Sequence, residues 1–265
     1  MRNALAIARK ELSIYFTTPL AYIVISVMVL ISALLFMSFL QRFVQIQEIA
    51  RVYTWARMPP DVPRNLTDGV VLPLWGWVML LVVLAGPLLT MGLFAKERRE
   101  RTFELLMTVP LRPWELVAGK YLGGLSITAI SIGSTIVFPL VLGVFGSSES
   151  GKALEWQTVL LGYAGLALLG GTAVALTMLI SAFTESEFLA GFIGFILMIV
   201  WLLLRDLGQA AEEPLRSVLS YVALETHLSQ LMRGVLEVKG LVMFASAIAF
   251  CLLLTHRKIE GERWA

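Results

Sequence analysis

The densest charge in the chain lies in Lys96 to Lys120, KERRERTFELLMTVPLRPWELVAGK. Glu97, Glu100 and Glu104 recur at i, i+3 and i+7, which puts three carboxylates on one stripe of a helix. Lys96, Arg98 and Arg101 stand beside them, and Phe103, Leu106 and Met107 form a neighbouring apolar face. Groups in this pattern pair ionically with another surface; they are not set up to make or break bonds. Thr108 to Pro113 ends the helix, because Pro110 and Pro113 each remove a backbone donor, and Pro113 is well placed to open a new helix at Trp114.

Other groups with chemical potential do not form sites. Gly146 to Ala153, GSSESGKA, nearly matches the phosphate-binding pattern G-x-x-x-x-G-K-[ST], but Ala153 has no hydroxyl for magnesium and the stretch follows an apolar run instead of a strand. His227 and His256 are far apart in sequence, so neither a metal site nor an imidazole-based triad is expected. Glu185 and Glu187 flank a tight turn and read as solvated carboxylates. No carboxylate pair or Ser/Lys pair lies inside the apolar runs, as an intramembrane hydrolase would need. No catalytic residue, cofactor or metal is expected.

The elements that position the polar segment are set by composition. Hydrophobic residues make up 58% of the chain and charged residues 15%, against roughly 45–50% and 25% in soluble domains. The chain reads as an all-α integral membrane protein forming a single domain over 1–265. Charge-free runs place six spans near 20–40, 70–95, 118–145, 157–183, 188–204 and 240–256. The last two are short unless their flanks extend them. A net charge of +2 is too mild to argue for nucleic acid. A lone cysteine, Cys251, excludes an internal disulfide framework. The apolar run from Ser13 to Gln41 is too long for a signal core and is expected to be retained.

Residues 1–18 read as an interfacial helix, with Leu5, Ala8, Leu12, Tyr15 and Phe16 on one side and Arg2, Arg9, Lys10 and Ser13 on the other. With the N-terminus inside, Lys and Arg divide twelve inside to nine outside, six of the twelve in the single loop from Lys96 to Lys120. Both termini are therefore expected to be cytoplasmic. Trp75 and Trp77 fit an outer aromatic belt and Trp114 an inner one. Gly86-Pro87 and Pro139 predict kinks. The glycines of the third and fourth spans, Gly162 and Gly165 among them, predict close helix packing within the chain. Residues 205–239 are apolar but carry Arg216, Glu225, His227 and Arg233, and read as a re-entrant or surface-lying helical pair on the outer side.

The polar segment resembles the signature of ABC-2-type (type V exporter-like) permeases, E-x-x-x-G-T-x-E-x-L-L-x-x-P followed downstream by G-K. Glu97, Thr102, Glu104, Leu105, Leu106, Pro110, Gly119 and Lys120 match it, and Arg101 stands where the family usually has glycine. Lys10-Glu11 with Pro19 to Ile23, His227-Leu228, and Arg233 to Glu237 with Lys239 resemble the gliding-motility-associated branch. So do Gly162 to Gly165 and Ser181 to Thr184. Gly92 and Glu237 depart from the arginine and aspartate of that branch.

The resemblance implies a six-helix membrane domain with an interfacial N-terminal helix, a cytoplasmic coupling helix at 96–112 and an outer re-entrant pair at 205–239. It implies a permease of the cytoplasmic membrane, catalytically inert by itself, working as two such chains, identical or related, with two separate ATPase subunits. Glu97, Glu100, Arg101 and Glu104 would pair with the ATPase, and Phe103, Leu106 and Met107 would fill its apolar groove. A non-transporting anchor of a motility or envelope complex shares this topology. A six-span channel or secondary carrier would carry polar pathway residues or interrupted helices in matching halves.

Overall fold

A computed structural model of the chain describes residues 2–52, 63, 65–104, 112–146 and 154–263. Among the described residues every regular element is helical: α1 (Arg2–Thr17), α2 (Pro19–Val52), a π-turn (Thr67–Val71) running into α3 (Leu72–Thr90), α4 (Gly92–Arg99), α5 (Pro113–Ser134), α6 (Val137–Phe145), α7 (Trp156–Ser181), α8 (Glu187–Ala210), α9 (Leu215–Val222), α10 (Leu224–Met232) and α11 (Val238–Arg263). Six helical stretches are long and apolar enough to cross a membrane: Pro19–Ile49, Thr67–Arg99, Pro113–Phe145, Trp156–Ser181, Glu187–Ala210 and Val238–Glu262. Each overlaps a charge-free run in the sequence. The fifth and sixth reach 24 and 25 residues because their flanks continue the helix.

The two prolines at which kinks are predicted act differently. Pro87 sits within α3, where Thr90 Oγ1 donates to the Gly86 carbonyl at 2.7 Å and the Met91 amide donates to the Pro87 carbonyl at 2.9 Å. Pro139 interrupts its span: α5 stops at Ser134 and α6 starts at Val137. The gap falls at Thr135, whose carbonyl would have received the amide hydrogen that Pro139 lacks. The Phe138 amide takes that carbonyl in a tighter bond of 3.2 Å.

Helix α7 is the central post, packed against α3, α5, α8, α10 and α11. Inside a bilayer, lipid is as apolar as leucine, so close packing has to hold helices together. Gly162 supplies it: a Cβ there would come within 2.3 Å of the Trp75 ring. Trp75 is consequently fully buried and edge-on to Tyr163. It is not part of an aromatic belt as its residue type predicts, because the face it occupies meets a glycine notch and not lipid. Trp77 and Trp114 are both substantially exposed.

Between the end of α8 at Ala210 and the start of α11 at Val238 lie two short helices, α9 and α10. With 8 and 9 residues, α9 and α10 are far too short to cross a membrane. They fold back on the bundle, α9 against α8 and α10 against α7. Arg205 pairs with Glu225 at 2.7 Å, and Trp201 Nε1 donates to the Val222 carbonyl at 2.9 Å.

The opposite end of the bundle gathers α1, α4, the start of α5, the turn between α7 and α8, and the end of α11. Helix α1 lies along α5 with Ala4 and Glu11 buried, while Leu5 and Phe16 face outward. The face buried in the protein is therefore a different one from the apolar side that carries Leu5 and Phe16. Gly119 and Gly123 decide this, since a Cβ on Gly123 would lie 2.6 Å from the Glu11 Cβ. Where α5 presents glycine, the polar edge of α1 can approach.

Candidate functional site at the polar end

Lys120 is the centre of the polar end. Its side chain is 2% exposed, and its ammonium donates to Glu11 Oε1 at 2.9 Å, to Glu97 Oε1 at 2.8 Å and to the Leu93 carbonyl at 2.6 Å. The three N–H donors of a lysine are thereby used. Lys10 lies 3.7 Å from Glu97 and 3.9 Å from Glu11, so two ammoniums face two carboxylates and the cluster is neutral. The Phe94 ring stands 5.1 Å from the Lys120 ammonium. Three elements distant in sequence, α1, α4 and α5, are locked together by one cation. Burial of a charge is costly unless it is paired and fully hydrogen-bonded, and here it is both.

A second tie comes from α7. Ser181 Oγ accepts from the amides of Phe94 and Ala95 at 3.0 and 2.8 Å and donates to the Met91 carbonyl at 2.8 Å. It holds the junction where α3 passes into α4. Two further pairs hold the flanks of α4: Arg99 with Glu187 at 2.7 Å, and Arg98 with Glu262, which also takes Lys258 at 2.9 Å. At the start of α5, Glu115 accepts from Asn3 at 3.1 Å and from the Arg112 amide at 3.4 Å. Pro113 is the first residue of that helix.

The continuous acidic stripe over 97, 100 and 104 does not form. Helix α4 ends at Arg99, and Arg101 has φ of 56°. The Arg101 amide donates to the Arg98 carbonyl at 3.1 Å, and the Thr102 amide to the Glu97 carbonyl at 2.9 Å. This is the double bond pattern of a Schellman helix end, whose left-handed position normally holds glycine. Arg101 occupies that position, where the signature that the segment resembles carries glycine.

The turn separates the sequence-predicted residues. Glu97 points inward to Lys120, with its side chain 13% exposed. Phe103 is buried, edge-on to Phe94 at 6.3 Å between ring centres, with the Arg98 guanidinium 4.6 Å above it. Neither offers its side chain outward as a continuous helix would have done. Glu100, Arg101 and Glu104 are exposed. Leu106 and Met107 lie outside the described residues.

Sequence reasoning assigned no partner to Lys120, Glu11 or Ser181. The signal for the first two was available: Lys10-Glu11 and Gly119-Lys120 both fall within family-like stretches, and a carboxylate on α1 opposite glycines on α5 marks a close approach. Ser181 carried no signal beyond its own family-like segment.

A cavity of about 550 Å³ opens beside the Lys120 cluster, bounded by the corner between α1 and α2 on one side and by α3 and α4 on the other. Tyr15 forms part of its wall. Burial, and after it the negative charge of Glu11, pushes the Tyr15 phenol well above its usual range, so it stays neutral.

Six apolar crossings and a charged, tightly braced end define a multi-pass membrane protein. Residues 44–222 match the family described as ABC-2 family transporter protein, well over half of the chain, and the chain belongs to that family. A search of curated proteins gave no match.

Proposed function

We propose that the chain is the permease subunit of an ABC exporter, moving its substrate across the cytoplasmic membrane on ATP hydrolysed by a separate ATPase subunit. The observation that carries this reading is the bracing of the 96–104 segment. Lys120, Ser181, Glu187 and Glu262 hold α4 from four elements, while Glu100, Arg101 and Glu104 project from the turn at its end. A surface contact that must move helices has to be rigid toward the membrane and exposed toward its partner. Such a contact transmits a rigid-body displacement and does not absorb it.

In this reading 96–112 is the cytoplasmic coupling segment. Arg101 and Glu104 meet the ATPase, Leu106 and Met107 fill its apolar groove, Glu97 and Phe103 position the turn from behind, and Glu100 closes α4 as its C-cap. Both termini are cytoplasmic, α1 lies along the inner surface of the bilayer, and α9 with α10 forms the outer re-entrant pair. A second permease chain, identical or related, completes the membrane unit. The segments around Lys10, His227 and Arg233 support a place near the gliding-motility-associated branch.

The test is co-purification from native membranes. An ATPase should accompany the chain and hydrolyse ATP faster with it than alone, and Glu104→Arg should bring hydrolysis down to the unstimulated rate without altering thermal unfolding of the permease. Unchanged stimulation in that variant overturns the role of the turn. Co-purification without any stimulation favours the membrane anchor.

A further inference from the structure

The cavity beside Lys120 changes character along its length. Leu20 and Ala21 from the start of α2, with Leu88 and Leu89 from the end of α3, form an apolar part that belongs to two membrane crossings. Lys96 and Glu100 lie in its polar part. Its volume falls within the roughly 300–1,000 Å³ of small-molecule sites.

The charges around it are not equally available. Lys120 and Lys10 are occupied with Glu11 and Glu97, and Glu187 is occupied with Arg99. Both sets are neutral. What remains is one ammonium and one carboxylate, Lys96 and Glu100. Both are exposed, and neither takes a side-chain partner among the described residues. They stand about one helical turn apart, Glu100 being the C-cap of α4 with its amide donating to the Lys96 carbonyl at 3.0 Å.

We infer that this cavity holds a resident bilayer phospholipid whose headgroup combines a phosphate with a primary amine. The phosphate pairs with Lys96, the amine donates to Glu100, and the first carbons of the acyl chains lie against Leu20, Ala21, Leu88 and Leu89. Charge-assisted hydrogen bonds to both ends of the headgroup supply selectivity. An anionic headgroup without the amine would leave Glu100 facing like charge, and a quaternary ammonium has no N–H to give it. The apolar half of the cavity requires a lipid and not a soluble phosphoamine. The inference rests on the chain spanning a membrane and is independent of any ATPase.

The test uses the full-length chain reconstituted in vesicles of equal parts phosphatidylethanolamine, phosphatidylglycerol and phosphatidylcholine. The chain is extracted in mild detergent and its retained lipid identified by native mass spectrometry. Phosphatidylethanolamine should be retained about tenfold over either competitor. Lys96→Ala and Glu100→Ala should each remove that preference at an unchanged unfolding midpoint, while Lys96→Arg keeps it. Soluble glycerophosphoethanolamine at millimolar concentration should not displace the lipid. Preference for phosphatidylglycerol, equal retention of all three lipids, insensitivity to both alanine substitutions, or displacement by the soluble headgroup overturns the inference. Because the readout is bound lipid, a failure here leaves ATPase stimulation untouched, and a failure of stimulation leaves the lipid result standing.

Discussion

Lys120 and Glu11 are 109 positions apart in the chain and 2.9 Å apart in space. Their pairing joins the amphipathic N-terminal helix to the start of the third membrane crossing, and it forms because α5 presents glycines where the two helices meet. Glu97 enters the same pairing from the end of the second crossing. The polar end is thus tied together by one buried cation.

Removing that cation should be worse than removing the whole cluster. Lys120→Met leaves Glu11 and Glu97 buried without their main partner and should destabilise the chain by about 3–5 kcal/mol. Lys120→Met combined with Glu11→Gln and Glu97→Gln should recover most of the loss. Denaturation in detergent micelles, comparing the single and triple variants, measures the difference. Equal destabilisation of the two would mean that the ion pairs contribute through packing alone.

Arg101 is strained where glycine would not be. A left-handed residue with a Cβ costs roughly 1–2 kcal/mol relative to glycine, so Arg101→Gly should stabilise the helix end by about 1 kcal/mol after the flexibility of glycine in the unfolded chain is counted. Hydrogen exchange at the Thr102 amide, which bonds to the Glu97 carbonyl, reads this locally. Faster exchange in the variant would show that the arginine side chain contributes more to the turn than its backbone costs.

Gly162→Ala should cost about 1–3 kcal/mol by overpacking against Trp75, with a change in the environment of a buried tryptophan visible in fluorescence. Gly133→Ala is the control, because a Cβ there meets nothing within 4 Å. It should be neutral or slightly stabilising, as the gain in helix propensity is unopposed. Comparable losses at both positions would separate the effect from the Trp75 contact.

The six crossings are legible in the sequence because the cost of a charge in lipid is large compared with any local propensity. The ends of the last two crossings extend beyond their charge-free runs where flanking charges such as Arg205 and Glu262 find ion-pair partners. The helical pair after the fifth crossing is legible for the same reason, its charges being too many for a span. What the sequence hides depends on which distant surfaces meet. Trp75 reads as a belt residue until Gly162 is placed against it. The 96–107 stretch reads as one amphipathic helix because spacing alone contains no sign that Arg101 will take a left-handed conformation. The glycine of the signature it resembles is a hint, and this chain carries arginine at that position. The Lys120 cluster requires knowing that α1 folds back on α5, a fact contained in glycine positions and not in charge.

The hydroxyl of Ser181 has one hydrogen to give and two lone pairs to offer, and the junction at Met91, Phe94 and Ala95 takes all of them. That junction is synthesised some 90 residues before Ser181. Chains are made from the N-terminus onward, so the second crossing emerges without the group that completes it and waits until the fourth has been made and brought alongside. The flanks of α4 gain their ion pairs later still, with Glu187 and then with Glu262 near the end of the sixth crossing, so the turn at Arg101 is among the last parts of this end of the molecule to be fully braced.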